Sequence, residues 1–166
     1  MPLPVDTERL RLRAATSDDL AAWHAISLDA ERAWFGEEQS TLADSRGSLE
    51  RRIAHQQRHG YSLWAVELKA SREMIGVAGL VHLQDGPEIE VGYRFLETHW
   101  GNGYATEAAR ATIAFGFDEL QLDRIVAVTL PDNRASRRVL EKCGLAFVGP
   151  TFVYGHPHVK YVITRN

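Results

Sequence analysis

The first third of the chain carries one strand pattern followed by helical patterns. Charged and apolar residues alternate over residues 8–15, which is typical of a half-buried strand. Residues 16–29 open with Thr16 or Ser17 as the N-cap and have acidic residues in the first turn, which predicts a helix. The polar residues 30–60 predict two further helical pieces that end at a glycine. The N-terminal third is therefore predicted to be mostly helical.

The rest of the chain alternates strand and helix patterns. Turn residues separate the strands, and small or apolar residues fall at helical spacing in the helices. The predicted elements are strands at 61–68, 74–83 and 88–96, a helix over 103–120, a strand at 124–130, a helix over 132–144, and two closing strands within 145–155 and 159–165. The sum predicts an α+β fold, a mixed α/β sandwich with a mostly antiparallel sheet.

Composition and charge narrow the class of protein. The chain has 166 residues, of which 45% are hydrophobic and 25% charged, and no linker-like segment divides it, so we expect one globular domain over residues 1–166. A net charge of −3 gives no basic footprint, so nucleic acid is not expected as a partner. The single cysteine, Cys143, excludes a disulfide framework and suits a reducing compartment. We find no signal peptide and no run of membrane-spanning length, so we expect a cytoplasmic protein with no membrane partner.

Two glycines precede the helix predicted over residues 103–120. Gly101 and Gly103 permit tight backbone conformations, and the small residues that follow would let a ligand approach the free amides of the first helical turn. A nucleotide-hydrolase loop would need a lysine here, and a dinucleotide fingerprint would need glycine in place of Thr106, so a nucleotide-dependent enzyme is disfavoured. A pyrophosphate site and an ordinary strand–helix turn both stay open on these residues alone.

The wider stretch resembles a known superfamily. The sequence EIEVGYRFLETHWGNGYATEAARATIAFGF, followed by RIVAVTLPDNRASRRVLEKCGLAFVG, closely resembles the GNAT superfamily of acyl-CoA-dependent N-acetyltransferases, and within it the RimJ/RimL-like branch of ribosomal-protein N-terminal acetyltransferases. The signature Gln/Arg-x-x-Gly-x-Gly/Ala maps onto Trp100 to Ala105; Trp100 departs from the general consensus but is usual in this branch. A second signature begins at Asn133 and has Leu145 in place of the usual Phe. The resemblance is specific over roughly residues 61–150.

This resemblance implies the GNAT fold and a site for acetyl-CoA. The fold has a central, mostly antiparallel, twisted sheet with a splayed middle strand and helices on both faces; Gly92 is a candidate position for a bulge in that strand. The backbone amides around Gly101–Thr106 would hold the CoA pyrophosphate. The strand that contains Val91 to Arg94 would pair with the pantetheine arm. The implied cofactor-binding residues are Val91, Gly92, Tyr93, Arg94, Trp100, Gly101, Asn102, Gly103, Tyr104, Ala105, Thr106, Asn133 and Ser136. For Asn133, an N-cap role is the alternative.

Acetyl transfer to an amine needs a proton acceptor, because amines are mostly protonated at neutral pH. Glu88 and Glu90 lie on the same face of their strand by its two-residue period. Glu90 is our first choice for the base and Glu88 the second; a solvated carboxylate is the alternative for either. At the leaving group, the tyrosine that many superfamily members carry is replaced by Leu140. The resemblance suggests Ser136 as the substitute, acting at least as much by position as by proton donation.

The sequence says less about the amine that accepts the acetyl group. By resemblance it is a protein or peptide N-terminus, with small amines, including antibiotics, as the second choice. Candidate residues for a substrate pocket, each with core packing or a solvated surface as the alternative, are Trp23, Trp34, Phe35, Glu88, Tyr154 and His158. Homodimers are common in such families, and the sequence leaves the oligomeric state open.

No metal is expected. The seven histidines, at positions 24, 55, 59, 82, 99, 156 and 158, offer no ligand spacing that we recognise beyond His156 and His158, which read as a turn. Cys143 has no neighbouring histidine in the sequence and reads as a small buried residue rather than a nucleophile.

Two functions from different classes therefore stand. The first is an acetyl-CoA-dependent N-acetyltransferase that works by direct transfer in a ternary complex. The second is a non-catalytic acyl-CoA-binding sensor or interaction module. The missing tyrosine at Leu140 slightly favours the second, whereas Glu90 and Ser136 favour the first.

Overall fold

The computed structural model describes residues 3–166 and contains one sheet of eight strands in the order β1-β2-β3-β4-β5-β6-β8-β7. All neighbouring strands pair antiparallel except β5 and β6, which are parallel. The strands are β1 (Val5–Asp6), β2 (Leu10–Arg13), β3 (Leu63–Leu68), β4 (Met74–His82), β5 (Ile89–Phe95), β6 (Arg124–Thr129), β7 (Ala146–Val153) and β8 (His156–Thr164). The helices are α1 (Leu20–Phe35), α2 (Leu42–His59), α3 (Tyr104–Asp118) and α4 (Arg134–Lys142).

Helices cover both faces of the sheet, and alternate residues of β3 show the division. Ala65 packs in an apolar cluster with residues of α1 and α2, whereas Trp64 and Val66 pack in a second cluster with residues of α3 and α4. A strand buried on both faces places successive side chains in opposite layers. The predicted α+β fold with helices on both faces is therefore confirmed. Among the described residues, none of the helices combines the length and the apolar character that a bilayer crossing requires.

The sheet opens between β5 and β6. The two strands share one bridge, Glu90 with Val126, although β5 pairs with β4 along its whole length and β6 pairs with β8 along its whole length. Beyond Glu90 the strands diverge, so the edge of β5 over residues 91–95 faces a cleft rather than a neighbouring strand. The predicted splay is confirmed. The bulge at Gly92 is not: β4 and β5 stay in register there, with Gly92 opposite Gly79.

Most element boundaries lie within a few residues of the prediction, and two features differ. The helix predicted over residues 16–29 begins with a short 3-10 turn and then runs on to Phe35, where Gly36 ends it in the left-handed conformation. The first of the two helical pieces predicted within residues 30–60 is the end of this helix rather than a separate element. The strand β1 was not predicted, because two residues are too short for an alternating pattern.

Candidate active site

The glycine pair forms a loop with free backbone donors at the start of α3. Gly101 and Gly103 adopt left-handed φ angles of 79° and 82°, which favour glycine. Gly103 is the N-cap of α3, and no side chain within residues 3–166 caps the helix there. The first N–H groups of a helix have no partner within the helix, so this loop presents backbone donors and the positive end of the helix dipole. The arrangement is suited to binding an anion.

An arginine near the N-terminus of the chain holds this loop in place. The Arg9 Nη1 donates to the Asn102 carbonyl at 2.9 Å, and its guanidinium lies 4.4 Å from the centre of the Tyr104 ring. The same guanidinium forms an ion pair with Glu107 at 2.8 Å. Trp100, the residue before the loop, is held to the end of β5, because its indole N–H donates to the Phe95 carbonyl at 2.8 Å. Sequence analysis missed Arg9, which lies about 90 residues from the motif and has no signature of its own.

A groove of about 590 Å³ runs beside this loop. It is lined by Thr7, Glu8, Arg9, Gly103, Thr106, Glu107, Arg110, Ala111 and Lys142. Three of these residues are cationic and two are acidic, so the groove has a net positive charge. A positive groove beside free helix donors favours a ligand with several negative charges.

On the α3–α4 side of the cleft, a hydroxyl pair joins β5 to α4. The Tyr93 hydroxyl lies 3.0 Å from Ser136 Oγ and donates to the Ser136 carbonyl at 3.2 Å. Burial raises the pKa of the Tyr93 phenol, so the group stays protonated at neutral pH and keeps a proton to donate. The Ser136 N–H donates to Asn133 Oδ1 at 3.0 Å, which confirms Asn133 as the N-cap of α4. Sequence analysis assigned Tyr93 only a backbone role and missed its side chain.

On the α1–α2 side of the cleft, Glu90 is a buried carboxylate. The residue is only 8% exposed, and its carboxylate accepts a 2.5 Å hydrogen bond from the Tyr154 hydroxyl. Burial raises the pKa of the Glu90 carboxyl above its ordinary value, while Tyr154, Arg52 and Arg94 favour the ionised form and oppose part of that rise. Glu90 is therefore not the solvated surface carboxylate of the alternative interpretation. A raised pKa makes a carboxylate a better proton acceptor.

A hairpin turn positions Tyr154 over Glu90. Strands β7 and β8 are joined by Tyr154 and Gly155, both with positive φ (53° and 77°), as in a two-residue type I′ turn. Gln84 fixes this turn through two bonds: its side-chain Oε1 accepts from the Tyr154 N–H at 2.8 Å, and its own N–H donates to the Tyr154 hydroxyl at 3.3 Å. Gln84 itself has a left-handed φ of 48°. The hairpin thus places a phenol at the mouth of the site.

Glu88 was predicted to share a strand with Glu90, but it lies one residue before β5, and two cations bind its carboxylate. The Lys160 Nζ donates to Glu88 Oε1 at 2.6 Å, and Arg124 lies 3.2 Å from the other oxygen. Both oxygens of Glu88 are therefore engaged by cationic side chains. Of the two candidate carboxylates, Glu90 is the buried one and Glu88 is the ion-paired one.

The predicted acceptor aromatics divide into core and surface. Trp23 is only 4% exposed and packs in the α1–α2 cluster, so it is a core residue and its assignment to a substrate pocket was wrong. Trp34 and Phe35 are exposed at the end of α1, and the Phe35 ring lies 5.2 Å from the His156 ring. The His158 ring lies 6.2 Å from the Tyr154 ring. Phe35, Tyr154 and His158 thus border the same end of the sheet.

Cys143 and a group of three histidines also bear on the sequence predictions. Cys143 is half-buried against the α3–α4 cluster, and burial raises the pKa of its thiol, which suits a packing role. His55, His59 and His82 lie together, and the sequence analysis missed this group. The four-residue spacing of His55 and His59 on one helix was a signal for it.

Comparison with known proteins agrees with this geometry. The acetyltransferase (GNAT) domain family matches residues 9–146. The N-acetyltransferase YoaA of Bacillus subtilis is 35% identical over 144 residues, which cover 84% of this chain and 81% of YoaA. The crystal structure of an acetyltransferase from Agrobacterium tumefaciens has a TM-score of 0.85 at 27% identity, over 99% of this chain and 96% of that one. Mycobacterium smegmatis RimJ, solved in complex with CoA-disulfide, has a TM-score of 0.76 at 26% identity, over 93% and 81% of the two chains.

The family match spans most of the chain, and both solved structures share its fold. The family match also agrees with the cleft between β5 and β6 and with the glycine loop at the start of α3. The chain therefore belongs to the GNAT acetyltransferase family and is an acyltransferase of the acyl-CoA-dependent N-acetyltransferase type.

Proposed function

We propose that the protein transfers an acetyl group from acetyl-CoA directly to a primary amine, with both substrates bound at once. One observation carries this proposal: the cleft between β5 and β6 separates a buried carboxylate, Glu90, from a hydroxyl pair, Tyr93 and Ser136. A direct transfer needs a proton acceptor on the amine side and a polar group on the thiol side of the same opening. The two sides of the cleft supply these groups separately.

The donor would bind along β5 and the glycine loop. The backbone N–H groups of residues 101–106 would hold the pyrophosphate, and the groove beside Arg9 would take the remaining phosphate charge. The pantetheine arm would lie against the free edge of β5 from Val91 to Arg94, where it can replace the missing strand neighbour. This placement leaves the thioester near Ser136.

The acceptor amine would enter from the α1–α2 side and meet Glu90. The amine must be neutral to attack, so Glu90 takes its proton, directly or through water. The nitrogen then bonds to the thioester carbonyl carbon, the C–S bond breaks, and its electron pair leaves with the CoA sulfur. The nitrogen loses its surplus proton to water as the amide forms, and the CoA thiolate takes up a proton from solvent to become the thiol. Tyr154 orients the carboxylate throughout, since its hydroxyl donates to Oε2.

The departing thiolate would be stabilised by the Ser136 hydroxyl, which Tyr93 holds in place. A thiolate is already stable near neutral pH, so strong acid catalysis is not needed. This explains how the site can operate with Leu140, a buried apolar residue, in place of the usual tyrosine. Ser136 then acts mainly by position.

For the acceptor we propose a protein or peptide N-terminus, with a small amine as the second choice. The support is the resemblance of the motifs to the RimJ/RimL-like branch, together with the fold shared with Mycobacterium smegmatis RimJ. Phe35, Tyr154 and His158 would border the acceptor at the α1–α2 side, and Glu88 would lie further along the same face. Trp34, exposed beside Phe35, would contact only a larger acceptor.

The test is release of CoA thiol from acetyl-CoA in the presence of peptides with free N-termini, aminoglycosides and polyamines. We expect thiol release with at least one acceptor class, and a Glu90→Gln variant that is slower at neutral pH by roughly 10²- to 10⁴-fold. The control is Glu50→Gln, which changes an exposed carboxylate on α2 and should not alter the rate. Tight acetyl-CoA binding without thiol release from any acceptor would contradict the proposal and support the binding-module alternative.

A further inference from the structure

Three histidine rings meet where the end of α2 approaches the end of β4. His55 and His59 lie one turn apart at the end of α2, and His82 is the last residue of β4. Their ring centres are 4.4 Å (His55–His59), 5.6 Å (His55–His82) and 5.8 Å (His59–His82) apart. One nitrogen from each ring lies within 4.8 Å of the others. This group, called here the histidine cluster, has no role in the proposed acetyl transfer.

The hydrogen bonds of two rings fix which nitrogen carries a lone pair. His55 Nδ1 lies 2.8 Å from the Tyr61 carbonyl, and His82 Nδ1 lies 3.0 Å from the Gly86 carbonyl. A carbonyl oxygen only accepts, so both Nδ1 atoms carry the proton and both Nε2 atoms present a lone pair. A ring that donates its other N–H to a carbonyl is the usual arrangement of a metal-ligating histidine.

We propose that the histidine cluster binds a divalent transition-metal ion, with Zn²⁺ as the preferred ion and Cu²⁺ or Ni²⁺ as close competitors. The ligands are Nε2 of His55, Nε2 of His82 and one ring nitrogen of His59, and water completes a tetrahedral site. A set of neutral imidazoles selects these borderline ions over Mg²⁺ and Ca²⁺, which prefer oxygen ligands.

The geometry requires a small adjustment. Metal–nitrogen bonds of about 2.0–2.1 Å place tetrahedral ligand nitrogens roughly 3.4 Å apart, so the rings must move closer by an ångström or so. His59 is exposed and can turn inward. The Tyr61 hydroxyl, which lies 2.9 Å from His82 Nε2, must release that lone pair. Tyr61 is therefore a competitor for His82 rather than a ligand.

The charges around the histidine cluster have opposite effects on the binding of a metal ion. His55 and His59 lie in the last turns of α2, where the negative end of the helix dipole favours a cation. Arg52, one turn earlier on the same helix, is a like charge and opposes metal binding. A bound ion would join α2 to β4 and so stabilise the packing of the helix on the sheet. This inference does not depend on the proposed acetyl transfer.

The experiment uses the full chain without an affinity tag, stripped with EDTA and dialysed. Zn²⁺ is titrated by calorimetry, and Co²⁺ is added in a parallel sample to detect the visible absorption of a tetrahedral site. We expect one Zn²⁺ per chain and a higher thermal unfolding midpoint with the ion bound. His59→Ala and His82→Gln should each weaken Zn²⁺ binding by at least about tenfold. The matched control His156→Ala removes an exposed histidine elsewhere and should bind as the unmodified chain does.

A further variant separates the ligand set from the rest of the ring cluster. Tyr61→Phe should bind Zn²⁺ as tightly as the unmodified chain or more tightly, because the competing hydroxyl is gone. His59→Ala in EDTA should unfold at the midpoint of the unmodified chain in EDTA, since its exposed ring is not needed for folding. The proposal is overturned by Zn²⁺ binding below one ion per chain, by equal weakening in His156→Ala, or by loss of binding in Tyr61→Phe.

Discussion

The hydrogen bond from Tyr154 to Glu90 leads to a prediction about the pH dependence of the rate. The size of that effect follows from the structure. Removing the hydroxyl with Tyr154→Phe deletes a 2.5 Å hydrogen bond that favours the ionised carboxylate. A hydrogen bond to a charged group contributes about 1.5–3 kcal/mol, and Tyr154 is 47% exposed, so we take the lower end of this range. At 1.36 kcal/mol per pKa unit, the pKa of Glu90 should rise by about one unit.

The sign of the effect on activity follows from the role of Glu90 as a base. The site is active when Glu90 is ionised, so a higher pKa moves the acid limb of the kcat/KM profile to higher pH, by about one unit. The rate on the alkaline plateau should change much less, because Glu90 is ionised there in both proteins. The assay is kcat/KM from thiol release, measured from about pH 5 to 9 at saturating acetyl-CoA.

The matched control is Tyr161→Phe, which also removes a phenol hydroxyl. That hydroxyl accepts from Arg137 Nε at 2.9 Å and lies on the α3–α4 side of the sheet, away from Glu90. Its acid limb should stay where it is in the unmodified enzyme. An unshifted limb in Tyr154→Phe, or an equal shift in Tyr161→Phe, would refute the assignment of Glu90 as the group that titrates in the rate.

Three further predictions follow from the same geometry. Gly101→Ala forces an alanine into a left-handed φ, which should cost about 1 kcal/mol of stability and also weaken CoA binding, measured by thermal unfolding and calorimetry. Tyr93→Phe removes the partner of the Ser136 hydroxyl, so kcat should fall by about tenfold at unchanged CoA affinity, measured by steady-state kinetics. Glu90→Gln removes a buried charge, so the variant should unfold at a higher temperature than the unmodified chain at pH 8, and this advantage should shrink as the pH falls from the raised pKa of folded Glu90 to the ordinary range of a glutamate.

The sign of the last prediction follows from the raised pKa. The folded state disfavours ionised Glu90, so the unmodified chain loses stability as the pH rises from the unfolded pKa through the folded one. Equal midpoints at pH 8 would contradict the burial of a charged Glu90. For the loop, Gly36→Ala is the control: the φ of Gly36 is 80°, close to the 79° of Gly101, so this variant should lose stability without losing CoA affinity. A loss of kcat above a thousandfold in Tyr93→Phe would instead make Tyr93 an essential acid.

The elements could be predicted because the sequence marks their ends with local signals. Gly60 ends α2 in the left-handed conformation, and Asn133 caps α4 with its own side chain, and both roles depend on neighbouring residues alone. The alternating pattern also predicted one strand face for Glu88 and Glu90, although β5 begins only at Ile89. The pattern could not show that the two carboxylates have different hydrogen-bond partners. Tyr154 contacts Glu90 and Lys160 contacts Glu88, and both partners lie more than 60 residues away in the sequence.

The misses share this cause. Arg9 supports the glycine loop across about 90 residues, and no pattern around Arg9 points to that contact. Trp23 was assigned to a pocket because an aromatic on a helix looks alike whether it faces the core or a ligand. His55 and His59 had the spacing of a ligand pair, but the third histidine is supplied by β4, which only the folded sheet brings alongside.

The most direct test of the central claim is a structure of the chain with CoA and its best acceptor or a bisubstrate analogue bound. We predict that the pantetheine arm hydrogen-bonds to the free edge of β5 between Val91 and Arg94, with the pyrophosphate on the amides of residues 101–106. The sulfur should lie beside Ser136 and the amine nitrogen within reach of Glu90, directly or through one water. A donor bound outside the cleft between β5 and β6, or an amine on the same side of the sheet as Ser136, would contradict the account.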